Sequence, residues 1–190
     1  MRESQRRYTV EDYYFIDAGS PIRHEYFHGE IYAMSGGTRV HARIAGNVFA
    51  AFHTALRGTA CEPFSSDMRL MTPSGLYTYP DVSVVCGQPE VIGLEERSTL
   101  LNPVVLVEVL SDSTREYDRG EKFEMYRSIS SLRDYVLIEQ SRPWVEHRRR
   151  SPEGEWTSFT AQSLDQVVRL ASIEVDLPLA GIYERVEFPR

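Results

Sequence analysis

The chain has 190 residues, of which 42% are hydrophobic and 26% charged, values that predict one domain over residues 1–190. Composition and pattern argue against a two-domain enzyme, a membrane span, a leader at Met1–Thr9 and long disorder. We therefore expect a soluble cytoplasmic protein. We also expect Cys61 and Cys86 to be buried free thiols. The net charge of −7 originates in residues 61–140, which hold 14 acidic and 7 basic residues, a balance that argues against a wholly basic nucleic-acid binder and suits a carboxylate site completed by a divalent cation.

The N-terminal third predicts a short helix, a hairpin and a long helix. Thr9 with Asp12 forms a capping pattern that opens a helix through about Ile16. Two short strands, Arg23–Phe27 and Glu30–Ala33, flank the turn residues His28-Gly29. Apolar residues at helical spacing then predict a helix from about Val40 to Leu56, which Gly58 ends.

The middle of the chain predicts the strands of a central sheet and one further helix. The helix covers Ser113–Ile129, with Thr114 as its cap. The strands are short, rich in Val, Leu, Ile and Tyr, and bounded by turn residues. They are Asp67–Met71, Tyr77–Val85, Pro103–Leu110 and Tyr135–Glu139.

The C-terminal part predicts a second hairpin and a last edge strand. The hairpin consists of Trp144–Arg149 and Trp156–Thr160, and the edge strand covers Val167–Ile173. The order of elements predicts an α/β fold with a mixed central β-sheet flanked by helices, an additional N-terminal hairpin and C-terminal strands.

Two predicted strands carry an acid among hydrophobic residues. Strand alternation places Asp81 on the face of Ser83 and Val85, and it places Glu108 on the face of Leu106 and Leu110. An unpaired carboxylate in a strand that is apolar on both faces costs several kcal/mol, so each acid requires compensation. An arginine partner, protonation, a hydrogen-bond network and a metal ion are the alternatives, and a buried salt bridge is the purely structural one.

Lys122 stands out because the other 20 basic residues are all arginine. An ammonium is compact, has three rotatable donors and can lose its proton, whereas a guanidinium effectively cannot. Lys122 therefore either performs a task that arginine cannot, or remains by codon bias in a helix pair with Asp118.

The ordered set of these residues resembles the PD-(D/E)XK nuclease superfamily, in which a Pro-Asp on one strand precedes an acid on the next strand and a nearby lysine. More closely, the chain is similar to the Uma-two family, which is grouped with restriction endonucleases. The similarity covers most of the chain. It rests on Tyr79–Val82, on Pro103–Ser111, on Thr114–Tyr126 and on the recurrent positions Glu25–Glu30, His41, Ser66–Arg69 and Asp134-Tyr135.

The resemblance implies a restriction-endonuclease-like fold and a metal-dependent DNA endonuclease. The superfamily lysine is expected two residues after the second acid, where this chain has Leu110, so the resemblance moves that role to Lys122 on the following helix. Asp81, Glu108 and Lys122 are then the catalytic residues, and Asp81 and Glu108 hold Mg²⁺, with Mn²⁺ as a substitute and the Val109 carbonyl as a further ligand. This requires Lys122 within roughly 6 Å of the Glu108 carboxylate, a reach that one helix packed over one strand allows.

Further polar residues have both a site role and a plainer one. Glu30 is either an extra acid of the site or an exposed hairpin residue. His41 either contacts a phosphate or activates water, or it is a capping or surface histidine. Tyr126, one turn after Lys122, is expected to help line the site. Asp67 is either a site residue or a turn residue. The arginines Arg39, Arg43 and Arg148–Arg150 are either phosphate contacts or a solvated edge.

The predicted partner is DNA, bound through a local surface that a homodimer would enlarge by bringing two clefts and their arginines together. Two other functions stay open: a nuclease-fold protein without catalysis that binds DNA or protein, and a metal-dependent hydrolase of smaller phosphoesters. Convergence of Asp81, Glu108 and Lys122 favours an enzyme, and internal ion pairing of these residues favours the binding protein.

Overall fold

The computed structural model describes residues 7–34, 36–93 and 98–188 of the chain. Residues 1–6, within the Met1–Thr9 stretch considered above, and Ser35 lie outside the described residues. The helices within these ranges are α1 (Val10–Gly19), α2 (Arg39–Ala55), α3 (Arg115–Arg119), α4 (Glu121–Tyr126) and α5 (Leu179–Ile182). The strands are β1 (His24–Phe27), β2 (Glu30–Ala33), β3 (Cys61–Ser65), β4 (Arg69–Met71), β5 (Tyr77–Thr78), β6 (Val82–Cys86), β7 (Val91–Ile92), β8 (Thr99–Leu100), β9 (Val105–Leu110), β10 (Asp134–Glu139), β11 (Val145–Arg150), β12 (Trp156–Ala161), β13 (Val167–Leu170) and β14 (Val175–Pro178).

Of the two helix caps that the sequence predicts, Thr9 is confirmed, whereas Thr114 stands at the N-cap of α3 without a side-chain cap hydrogen bond, so that prediction is wrong. Thr9 Oγ1 accepts a hydrogen bond from the Asp12 backbone N–H, and the Asp12 carboxylate accepts one from the Thr9 N–H, which forms the complete capping box of α1. Thr38 caps α2 by accepting from the His41 N–H. The cap therefore places His41 in the first turn of the long helix.

The main sheet has the strand order β12-β11-β10-β9-β6-β3 in the described ranges. Only the β9–β10 pairing is parallel in this sheet, so it is mixed, as predicted. Every residue of β9 and β10 is buried, because both faces of the sheet are covered. Apolar side chains of α2, α5 and the β13–β14 hairpin pack on one face, and those of α4 pack on the other.

The strand predicted over Tyr77–Val85 is split, which corrects the prediction of one continuous strand. The segment Tyr79-Pro80-Asp81 leaves β5 in a second sheet, of order β2-β1-β5-β4-β8-β7, and β6 in the main sheet. A proline lacks the N–H that a central ladder needs, so the chain changes sheets at this point. The N-terminal hairpin and β4 also belong to the second sheet, where the sequence predicted β4 in the central sheet.

The helix predicted over Ser113–Ile129 is also divided. Gly120 lies between α3 and α4 with φ −107° and ψ −99°, away from the helical region. At the C-terminal end, the edge strand predicted to reach Ile173 ends at Leu170 and turns back into β14, so Val175–Pro178 is a strand that the sequence analysis missed.

The prediction of two free thiols is wrong, because Cys61 and Cys86 form a disulfide. The two residues are directly opposite each other in the antiparallel β3–β6 register. Cross-strand neighbours of this kind bring their Cβ atoms within disulfide range. Sequence separation alone did not reveal this pairing.

None of the helices in the described ranges combines the length and the apolar character that a membrane crossing requires.

Candidate functional site

Strand register brings Asp81 and Glu108 together. In the antiparallel β6–β9 pair Val82 is opposite Val107, so the next position outward places Asp81 beside Glu108. Asp81 Oδ2 accepts a hydrogen bond of 2.7 Å from the Val109 N–H. The backbone of β9 therefore fixes the Asp81 carboxylate next to the strand that carries Glu108.

Glu108 is a buried carboxylate that two side chains from α4 contact. The Tyr126 hydroxyl donates to Glu108 Oε1 at 2.7 Å, and Lys122 Nζ lies 3.0 Å from the same oxygen. This distance lies well within the limit of roughly 6 Å that the sequence analysis required. Lys122 and Tyr126 are one helical turn apart, so α4 presents both to one face of the sheet.

Lys122 Nζ is shared by three carboxylates. Glu25 Oε1 and Glu108 Oε1 lie 3.0 Å from it, and Asp118 Oδ1 lies 3.4 Å away. An ammonium has three donors, so these acceptors match its full donor capacity. Lys122 is thus the central cation of an acidic cluster, which we define as Glu25, Asp81, Glu108, Asp118 and Lys122.

The hairpin acid that contacts Lys122 is Glu25 and not Glu30. Glu30 is exposed on β2, where the Tyr32 hydroxyl donates to its carboxylate. Glu25 lies on β1, contacts Lys122 and accepts a hydrogen bond from Thr78 Oγ1. Glu30, which was predicted as a site residue, therefore lies outside the acidic cluster. Glu25, the cross-strand neighbour of Tyr32, contacts Lys122 instead.

The acidic cluster shifts the pKa values of its members. Burial raises the pKa of Glu108 to about 8; the charge of Lys122 opposes this rise, and the charges of Asp118 and Asp81 add to it. Burial also raises the pKa of Asp118. For Lys122, burial disfavours the ammonium, but the surrounding carboxylates outweigh burial and raise its pKa well above the ordinary value. Lys122 is therefore protonated at neutral pH.

His41 contacts Asp81 from the start of α2. Its Nε2 lies 3.2 Å from Asp81 Oδ2. Burial of the imidazole lowers its pKa, but the hydrogen bond and charge of Asp81, together with the charge of Glu108, outweigh this and raise it. The structure thus brings His41 to the cluster as well as placing it in the first helical turn.

The donor set of this site fits a hard cation. In the described ranges no group of three or more His, Cys, Asp and Glu side chains is arranged as a metal site. Asp81 Oδ1 and Glu108 Oε2 have no hydrogen bond or ion pair among the described residues, while the second oxygen of each carboxylate is engaged. Two oxygen donors suit Mg²⁺, which binds through one or two carboxylates and keeps several waters.

The remaining candidates lie outside the cluster. Asp67 is exposed and pairs with Arg23. Arg39 and Arg43 are exposed on α2. Arg148 and Arg150 are tied to the protein, through Glu146 and the Ile129 carbonyl respectively.

The sequence offered Asp118 as a helix-pair partner of Lys122, but it did not reveal Glu25 as a further partner. Asp118 was visible only as a helix pair four residues before Lys122, and Glu25 only as the first residue of the Glu25–Glu30 segment. Neither signal identifies a shared partner, because β1 reaches Lys122 through a contact between residues 97 positions apart.

Comparison with known proteins gives a consistent family. The Uma2 family model, described as "Putative restriction endonuclease", matches residues 10–180. Two uncharacterized proteins of Synechocystis sp. are similar along their length. One, slr1290, is 34% identical over 183 residues, which cover 95% of this chain and 93% of slr1290. The other, sll1609, is 32% identical over 149 residues, which cover 78% of this chain and 84% of sll1609.

The fold also matches a solved structure. The crystal structure of "a putative nuclease belonging to DUF820" from Anabaena variabilis superposes with a TM-score of 0.74 at 16% identity, covering 94% of this chain and 99% of that one. This likeness confirms the α/β, nuclease-like fold that the sequence predicted.

Proposed function

Since the chain belongs to the Uma2 family, we propose that it is a Mg²⁺-dependent endonuclease that hydrolyses phosphodiester bonds of DNA, with Mn²⁺ as a substitute. The observation that carries the proposal is the convergence of three side chains from separate elements. Asp81 precedes β6, Glu108 lies on β9, and Lys122 on α4 is 3.0 Å from Glu108. This is the set that the sequence analysis predicted to meet.

Asp81 and Glu108 would hold the metal, with the Val109 carbonyl as a further oxygen. Bound Mg²⁺ supplies a Lewis acid for a phosphate oxygen and water ligands that can attack phosphorus. The Val109 N–H and His41 hold Asp81 Oδ2, and Lys122 and Tyr126 hold Glu108 Oε1. These contacts orient the remaining oxygen of each carboxylate.

Lys122 acts as a fixed positive charge in this proposal. Its raised pKa means that it is not a proton acceptor at neutral pH. Its three donors face three carboxylates, so it positions Glu108 and offsets negative charge close to the scissile phosphate.

A second candidate is a nuclease-fold protein that binds DNA or protein without cleaving it. The observation that favours it is the same ion pairing, because a lysine fully occupied by internal carboxylates can serve the fold alone. The unengaged oxygens of Asp81 and Glu108 favour the enzyme, since a purely structural network would pair them.

Plasmid cleavage distinguishes the two candidates. We expect the purified chain to nick supercoiled plasmid with Mg²⁺ or Mn²⁺ and to leave it intact with EDTA. Asp81→Asn, Glu108→Gln and Lys122→Met should each reduce nicking by at least about a hundredfold, as loss of a group that acts in the transition state does.

Glu30→Gln is the matched control, because Glu30 is an exposed acid of the β1–β2 hairpin that lies outside the acidic cluster. It should nick plasmid at the wild-type rate. Equal nicking by wild type and Asp81→Asn would contradict the proposed mechanism, and no nicking by folded wild type would favour the binding protein.

Light scattering tests the proposed homodimer, which a strict monomer would exclude.

A further inference from the structure

A shallow groove lies away from the acidic cluster, between β11, β12 and β13, with a volume of about 360 Å³. Its β11 members, His147 and Arg149, are opposite Val136 and Asp134 on β10. Val136 packs with α2, whereas the intervening Tyr135 packs with α4. Since strand neighbours alternate between faces, the groove is on the face of the main sheet opposite Glu108.

Strand alternation also divides the arginine run of β11. Arg148 donates to Glu146 and to the Arg119 carbonyl, and Arg150 donates to the Ile129 carbonyl. Arg149 points to the other face, is exposed, and has no hydrogen bond or ion pair from its guanidinium within residues 7–34, 36–93 and 98–188. It is therefore a cation of the groove without an internal counterion.

An aromatic ring accompanies this cation. Phe159 on β12 is directly opposite His147 in the ladder and is 51% exposed, and Thr157 is opposite Arg149. Phe159 and Arg149 thus share one surface of a twisted two-stranded ladder. A phenyl ring that stays half-exposed beside an unpaired guanidinium combines a stacking surface with an anion contact.

The other charged groups of the groove are largely compensated. Arg169 on β13 is exposed but bonds Asp176 at 3.2 Å and the Glu174 carbonyl. His147 Nε2 lies 2.6 Å from Asp134, which also accepts from Ser172 Oγ. These contacts hold His147 and Arg169 in place and leave Arg149 as the main source of positive potential.

We propose that this groove binds single-stranded nucleic acid, with an unstacked base on Phe159 and its phosphate at Arg149. The groove is a second site beyond the one in the proposed function, and the proposal rests on that function's assignment of DNA as the ligand. The volume of about 360 Å³ is at the lower end of the range for small-ligand sites, about 300–1,000 Å³. Bases of any sequence stack on an aromatic ring, but a duplex hides them. The groove therefore prefers a single strand and has little sequence preference.

The test is binding of a fluorescently labelled oligothymidylate in EDTA, followed by anisotropy at several salt concentrations. Phe159→Leu keeps the apolar bulk and should weaken binding about tenfold by removing the stacking surface. Arg149→Gln should weaken binding several-fold at low salt. It should also reduce the slope of log K against log salt by about 0.7, the value for one phosphate contact on a single strand.

Arg57→Gln is the matched control, because Arg57 is exposed and removing it changes the net charge equally. It should bind as the wild type does, and a matching duplex should bind more weakly than the single strand. Free thymidine monophosphate is the third arm, and it should compete only at far higher concentration than the strand. Competition at similar concentrations would assign the groove to a free nucleotide and overturn the proposal.

The binding and cleavage assays have separate outcomes. Weaker strand binding by Arg149→Gln and Phe159→Leu supports the proposal that the groove binds single strands. This holds if plasmid nicking is retained and also if no form of the protein nicks plasmid. Equal binding by wild type and both groove variants, or an equal loss in Arg57→Gln, overturns it even if the chain nicks plasmid.

Discussion

Burial disfavours the charged form of Glu108 and raises its pKa to about 8, and this gives its substitution an unusual sign. A carboxyl whose folded pKa is raised above its unfolded value keeps its proton when the unfolded chain has lost it. The free energy of unfolding therefore falls as pH rises from the ordinary value of 4.5 to about 8. Replacing Lys122 has the opposite effect on the free energy of unfolding, because the Lys122 ammonium compensates three acids.

We expect Glu108→Gln to stabilise the metal-free protein and Lys122→Met to destabilise it. Lys122 keeps Glu25 and Asp118 as partners in Glu108→Gln, so the gain is about 1–2 kcal/mol at pH 8 and close to zero near pH 4.5. Lys122→Met leaves three carboxylates around an apolar chain and costs about 3–5 kcal/mol at pH 7. Urea unfolding in EDTA at several pH values measures both.

Glu30→Gln serves as the control here too and should change stability little at any pH. A Glu108→Gln protein that is less stable than wild type at pH 8 would show that the Lys122 contact outweighs the burial of Glu108. A pH-independent gain would show that burial of the charge is not its source.

At the residue scale, the two acids proposed to hold the metal were predictable, and the contact of Glu25 with Lys122 was not. Asp81 and Glu108 interrupt apolar strands, so their anomaly is local and visible in the sequence. Glu25 follows an ordinary strand pattern and meets Lys122 only through tertiary folding. Glu30, next to the glycine turn, is the hairpin acid that the resemblance suggested as an extra acid of the site.

At the scale of elements, Gly120 determines how α4 presents Lys122. A Cβ at Gly120 would lie 3.0 Å from the Glu116 carbonyl oxygen, closer than an ordinary van der Waals contact. The change of direction between α3 and α4 therefore needs the close approach that glycine permits.

We expect Gly120→Ala to destabilise the protein by about 1–2 kcal/mol and to reduce plasmid nicking, because α4 must shift to admit the methyl group. Helix propensity alone predicts the opposite sign, a gain of up to about 1 kcal/mol. Gly46→Ala in α2 is the control, since a Cβ there meets nothing within 4 Å, and it should stabilise. Thermal unfolding of both variants decides between packing and propensity.

The disulfide joins the edge strand β3 to β6, which begins one residue after Asp81. Cross-linking residues 25 positions apart restricts the unfolded chain and is worth about 3 kcal/mol. We expect the Cys61→Ser/Cys86→Ser protein to lose that amount relative to wild type.

Thiol titration of the denatured, unreduced chain checks the same bond and should detect no free thiol. A reducing agent should lower the melting temperature of the wild type and leave that of the double variant unchanged. Two titratable thiols in the purified protein would contradict the pairing.

Element boundaries were less predictable than element types. The predicted strand Tyr77–Val85 and the predicted helix Ser113–Ile129 run through Pro80 and Gly120, where the structure divides them. Pro80 changes the sheet to which the chain belongs, and this depends on the partner strands β1 and β9, which the local pattern does not specify. The Cys61–Cys86 pairing has the same origin, because it depends on the β3–β6 register.

On the scale of the whole molecule, buried and half-buried tyrosines lie around both sheets. Burial is the largest cause of a raised pKa in each member of this group. The group consists of Tyr13, Tyr77, Tyr79, Tyr117, Tyr126, Tyr135 and Tyr183. For Tyr77 and Tyr79 the raised pKa is about 12.

This group predicts cooperative unfolding in alkali. A tyrosine whose folded pKa exceeds its unfolded value of about 10 contributes stability below pH 10, and this is lost as pH rises through the folded pKa. Above pH 10 each tyrosine that stays protonated in the folded chain lowers the free energy of unfolding by about 1.4 kcal/mol per pH unit. Tyrosinate absorbance should therefore rise in two phases, a small one near pH 10 and a steep one that coincides with loss of the circular dichroism signal. In urea all 11 tyrosines should titrate together near pH 10, and the same single phase in the native protein would contradict their burial.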